Sequence, residues 1–114
     1  GGLCELTFGE QRLRLPMGSQ SIGERVQVRV FAADVVIASQ RVENTSIRNI
    51  LRGVISEIRP LAAGTMEVRI EIDAQLLRAQ VTAEALDELG LAAGSEVFAM
   101  IKSVALASEK DSLK

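Results

Sequence analysis

From Met66 to Asp73 the chain alternates without a break: Met66, Val68, Ile70 and Ile72 against Glu67, Arg69, Glu71 and Asp73. A side-chain period of two belongs to a strand with one dry and one wet face, and no helix can satisfy it. The same alternation recurs at Val26, Val28 and Val30 against Arg25, Gln27 and Arg29. Cys4, Leu6 and Phe8, then Leu13 and Leu15 after Gly9-Glu10, read as a hairpin. Val35 to Ala38 is a wholly apolar run that suits a buried strand, and it follows an interruption at Ala32-Ala33-Asp34. Ile50 to Ile58 is β-rich and ends near Pro60, with a turn at Ala62–Thr65. After a second turn at Asp73-Ala74-Gln75, Leu77, Ala79 and Val81 continue the theme, and Glu96 to Leu106 reads as one last strand.

One helix interrupts the pattern. Thr82 can cap its start, Glu84 complements its first-turn dipole, and Leu86 and Leu89 share a side. Gly90 suits the left-handed residue that ends a helix. Many short strands with one short helix predict an all-β fold, a small OB-like β-barrel. With 114 residues the core is small, and a dimer that shares strands would enlarge it. The polar stretch Ser39–Ser46 is the expected boundary between two parts. They are an N-terminal β segment, 1–44, that completes a barrel unit, and a second unit, 45–107. A frayed tail, 108–114, follows.

What is missing narrows the function. There is no histidine, so reactions needing imidazole are excluded. Cys4 is the only cysteine, which precludes an internal disulfide or thiolate cluster and fits a reducing compartment. Neither GxxxxGK[ST] nor GxGxxG occurs, so no nucleotide cradle and no enzyme is expected. The net charge of −2 is scattered, and Phe8, Phe31 and Phe98 are the only aromatics, a composition unlike that of nucleic-acid binders. No apolar stretch approaches the ~20 residues of a membrane span, so no membrane insertion is expected. The start, Gly1 to Cys4, shows no basic region leading into an apolar run, so no signal peptide is expected. Glu67, Arg69, Glu71 and Asp73 read as a solvated charge ladder.

Two segments can carry chemistry. Thr45-Ser46-Ile47-Arg48-Asn49 packs two hydroxyls, a guanidinium and an amide before a strand. Such a turn can bind an anion through backbone N–H groups, with Arg48 as a forked donor, or it can simply cap itself. Lys102 and Ser103 interrupt an otherwise apolar strand; they can face a shared cavity or merely blunt a sheet edge. Thr82 is a helix cap whose hydroxyl can also meet an anion.

Taken together the segments resemble a family. Thr45–Ile55 looks like the "SARN-x-L-x-G-x-V" opening of molbindin (Mop) domains. Ala79–Thr82 with Leu86 and Leu89–Leu91 is similar to their "A-x-I-T…LGL-x-G", and Val97–Leu106 resembles their "V-x-A-x-IK-x-S-x-V". Val26–Val30 with Ala33–Ala38 resembles a stretch that follows ABC-transporter ATPase domains. The combination resembles the C-terminal regulatory (TOBE/Mop) domain of molybdate ABC-importer ATPases. That resemblance implies a molybdate- or tungstate-binding barrel working as a homodimer, with oxyanion sites at subunit contacts and no other cofactor. It also implies a cytoplasmic place beside an ATPase domain and a membrane permease, with bound oxyanion feeding back on transport. Ser46, Ile47, Arg48 and Asn49 would come from one side of the site, and Thr82, Lys102 and Ser103 from the other. Ile47 stands where the family usually has a small alanine, so a structural dimerisation module without a working site is the alternative.

Overall fold

The structure, a computed structural model, describes residues 3–8, 11–16, 26–102 and 105–108, and the side chains of 30–102. The strands are β1 (Leu3–Phe8), β2 (Gln11–Pro16), β3 (Val26–Arg29), β4 (Val35–Ala38), β5 (Asn49–Ala62), β6 (Thr65–Ile72), β7 (Gln75–Thr82), β8 (Glu96–Ile101) and β9 (Ala105–Ser108). A 3₁₀ turn, Ala32–Asp34, precedes β4, and one helix, α1 (Ala83–Leu89), follows β7. All pairings are antiparallel: β1 with β2, β3 with β9, and a five-stranded sheet in the order β4-β8-β5-β6-β7. Its edge strands β4 and β7 lie against each other, so the sheet curls into a small OB-like barrel.

Alternation sets the core. Val68, Ile70 and Ile72 of β6 are fully buried, as are Leu51 and Ile55 of β5 and Val97 and Ala99 of β8. Val35 and Ile37 of β4, Leu77 and Ala79 of β7 and Leu86 of α1 complete it. Gly53 sits on the inward face of β5 because nothing larger fits. A Cβ there would lie 2.7 Å from the Glu71 carbonyl oxygen and from the Ile70 and Ile72 side chains. β5 bends further at register shifts between Ile55 and Glu57 and between Pro60 and Ala62. Strands from both parts of the chain interleave: β4 pairs with β8, and β3 with β9.

The hairpin β1–β2, the turns of the β5–β6–β7 meander and the helix fall where the sequence puts them. Thr82 Oγ1 accepts the Ala85 N–H at 3.1 Å, and Gly90 closes α1 with φ 64° and an N–H to the Asp87 and Leu86 carbonyls. Several expectations need correction. Pro60 lies inside β5, because beyond Val54 that strand pairs only with β6 and Pro60 has no ladder bond to give up on its open side. β4 is not buried on both faces: Val36 is 41% exposed, since the strand is a sheet edge with one face outward. The single strand expected at Glu96–Leu106 is two, β8 and β9, which break after Ile101 and take different partners. Leu89 is 44% exposed, and only Leu86 of the short helix reaches the core. The charge ladder of β6 is only partly solvated, since Arg69 and Glu67 are half-buried and their Nε and Oε1 pair at 3.1 Å. Of the frayed tail expected at 108–114, Ser108 belongs to β9 and the rest lies outside the described residues.

Candidate functional site

β4 ends at Ala38, and the chain crosses to β5 through residues 39–48 without regular structure. This crossing is anchored at both ends. The Arg41 guanidinium lies 5.3 Å from the centroid of the Phe98 ring on β8. Asn49, 7% exposed, opens β5 opposite Ile101 and has a partner within the protein. Between these anchors Thr45 Oγ1 accepts the Ile47 N–H at 3.1 Å, so the loop caps part of itself.

On the neighbouring strand, β8 stops at Ile101, and Lys102 occupies the bend that follows. The Lys102 backbone N–H donates to the Asp34 carbonyl at 2.8 Å, tying the bend to the 3₁₀ turn before β4. Because Asn49 and Ile101 are direct register partners, the loop before one and the bend after the other must meet. They enclose an open groove of about 480 Å³, lined by Thr45, Ser46, Ile47, Arg48, Asn49, Ile101 and Lys102.

The lining carries a guanidinium, an ammonium, two hydroxyls and an amide, with no carboxylate. That is a donor-rich, cationic concavity on a protein whose net charge is −2. Among the described residues no hydrogen bond or ion pair engages the side chains of Ser46, Arg48 or Lys102, and all three are exposed. The chemistry available is binding of an acceptor-only anion through charge-assisted hydrogen bonds. A second groove, about 210 Å³, lies further along β5 between Arg52, Gly53, Val54, Glu71, Asp73 and Glu96, and its three carboxylates give it the opposite character. Among the described residues no three His, Cys, Asp or Glu side chains gather as a metal site.

Of the residues singled out in the sequence, Ser46, Ile47, Arg48, Asn49 and Lys102 therefore share one groove within a single chain. Thr82 does not join them. It pairs with Thr65 at the far end of the β5–β6 hairpin and caps α1. Ser103 lies outside the described residues. Thr45, from the same candidate segment, and Ile101 complete the lining; the register of β5 with β8, invisible to local pattern, is what brings Ile101 in.

The TOBE domain family model matches residues 45–107. The "Molybdenum import ATP-binding protein ModC" of Rhizobium etli is 36% identical over 104 residues, which are 91% of this chain and 29% of that protein. The protein of the same name from Yersinia pseudotuberculosis is 40% identical over 102 residues, 90% of this chain and 28% of its own. The chain thus spans about three tenths of the length of these curated relatives. Among solved structures, the cytoplasmic molybdate-binding protein ModG, with molybdate bound, superposes with a TM-score of 0.69 at 32% identity, covering 75% of this chain and 63% of that one.

Proposed function

The chain belongs to the TOBE domain family, and from that premise we propose that it binds molybdate or tungstate in the groove between the 45–49 loop and Lys102. One observation carries the reading: the groove gathers Arg48 and Lys102 with hydroxyl and amide donors and excludes every carboxylate. Molybdate is a tetrahedral dianion that only accepts hydrogen bonds at neutral pH. Such a ligand is stabilised by fixed donors and by nearby positive charge, and it needs no titrating acid. The likeness to a molybdate-bound protein and to molybdenum-import ATP-binding proteins supports this choice of oxyanion.

The groove is open and far larger than one tetrahedral ion, so we assign its second wall to another copy of the chain. In that homodimer Thr82 of the partner subunit, with its hydroxyl and adjoining helix start, is the element that closes over the anion. Ligand binding then stabilises the assembled state, because only that state has a complete site. In a complete protein built like the relatives, this domain would sit on the cytoplasmic side, next to an ATPase domain and a membrane permease. Anion binding would hold the ATPase dimer in one arrangement and slow import, a feedback that needs no catalysis by this domain.

A second reading is a structural dimerisation module without a working site. It is favoured by Ile47, which lines the groove and whose N–H is already spent on Thr45. Calorimetric titration with molybdate, with sulfate and phosphate as controls and the mass in solution measured alongside, separates the two. Selective binding at about micromolar Kd, with one or fewer ions per chain of a dimer, is expected for the sensor. A folded dimer that gives no heat with any oxyanion leaves the structural module.

A further inference from the structure

We propose that Thr45 is an oxyanion-binding residue in its own right: it takes up the Ile47 N–H and returns a hydroxyl proton to the anion. The inference rests on the oxyanion reading of the groove and adds a donor to it. Thr45 is half-buried, lines the same groove as Lys102, and accepts the Ile47 N–H on Oγ1 at 3.1 Å.

A threonine hydroxyl has one proton to give and two lone pairs to fill. In this loop the backbone fills one lone pair from inside, and the proton remains for whatever occupies the groove. An N–H donating to a hydroxyl polarises it, so the outward O–H becomes a better donor than an isolated one. Hydrogen bonds from O–H to an anionic oxygen are also shorter and stronger than neutral ones. The Ile47 amide is thus unavailable to the anion directly, yet its dipole is relayed one atom further into the groove. The bond also fixes the Thr45 rotamer before ligand arrives, which lowers the ordering cost of binding.

Thr45→Val, which keeps the shape and removes the hydroxyl, tests this against Thr45→Ser, which keeps the hydroxyl and removes the methyl. Molybdate titration should show Thr45→Val weaker by about tenfold and Thr45→Ser within about threefold of the unmodified chain. Amide exchange without ligand should show faster exchange at Ile47 in Thr45→Val alone, with the thermal midpoints of all three close together. If Thr45→Val lowers the midpoint, Thr45→Ala must reproduce its loss of affinity when both are measured well below unfolding. Unchanged affinity in Thr45→Val, while Lys102→Ala loses binding, overturns the role of Thr45 and leaves the groove standing as the site. An equal loss in Thr45→Ser also overturns it, because the methyl rather than the hydroxyl would then matter. No molybdate binding by the unmodified, folded chain overturns both this inference and the reading beneath it.

Discussion

The two ends of β5 are built from one continuous strand and do opposite things. At its start, from Asn49 to Val54, the strand pairs with β8, β6 joining only at Val54, and every second residue is buried. At its end, from Glu57 to Ala62, it pairs with β6 alone and no residue is fully buried. The polar loop and Lys102 sit at the first end, and Thr82 sits with the hairpin at the second. The difference teaches that donors are held in place where the strand beside them is packed into the core. The exposed end is free to meet another molecule. A core-anchored donor loop at one end and an exposed hairpin at the other is the division of labour that the proposed anion site, shared between two copies, would need.

The largest effect should come from breaking the close contact that lets the first end curl. Gly53→Ala places a Cβ 2.7 Å from the Glu71 carbonyl oxygen, a backbone atom that cannot swing aside. We expect a loss of about 3 kcal/mol in chemical denaturation, with molybdate binding lost in proportion to unfolding. Lys102→Ala acts on the site alone. It should weaken molybdate binding by about 1.5–3 kcal/mol in calorimetry and leave the unfolding midpoint nearly unchanged, because the Lys102 tie to Asp34 is made by the backbone.

At the other end, Thr82→Ala removes the helix cap and should cost about 1 kcal/mol of stability. If the hairpin end closes over the anion of a neighbouring copy, affinity falls as well. Affinity that stays level when stability falls would confine Thr82 to capping. Ala74→Gly has the opposite sign. Asp73 and Ala74 hold φ of 46° and 70° in the two-residue β6–β7 turn, and glycine relieves that strain, so the midpoint should rise by the equivalent of about 1 kcal/mol.

The smallest effect belongs to Glu57 and Arg59 on the exposed half of β5, paired at 2.6 Å. The Arg59 hydrogen bond, reinforced by its charge and that of Arg69, holds the Glu57 carboxyl below its ordinary value against slight desolvation. A lowered carboxylate pKa stabilises the fold above the unfolded value and loses that contribution as pH falls through the folded one. The difference between Glu57→Gln and the unmodified chain should therefore be slight at neutral pH, fade on acidification, and shrink in high salt, as denaturation at several pH values would show.

How much of this was legible depended on how local the signal was. The alternation in β6 and the caps at Thr82 and Gly90 are read from neighbours within a few residues, and the structure agrees with each. The break after Ile101 was hidden because Val104 to Leu106 resume the apolar run after Lys102 and Ser103, which read as a polar interruption within one strand. Only the exchange of partners, from β5 and β4 to β3, ends one strand and begins another. Pro60 misled for the same reason: whether a proline stops a strand depends on whether its open side has a partner. Resemblance to molbindin domains assigned the 46–49 loop and Lys102 to one site but to opposite sides of it, whereas the register of Asn49 with Ile101 places them in one groove within a single chain. Nor could the sequence decide where the Ile47 N–H goes, since a Thr-Ser-Ile turn can donate outward or to itself.

The measurement that tests the central claim most directly is an anomalous difference map at the tungsten edge from crystals of this chain grown with tungstate. The account predicts a strong peak in the groove, within hydrogen-bonding reach of the Lys102 ammonium and the 45–48 donors. A map with no peak there at saturating tungstate, or a single peak elsewhere on the barrel, would contradict it.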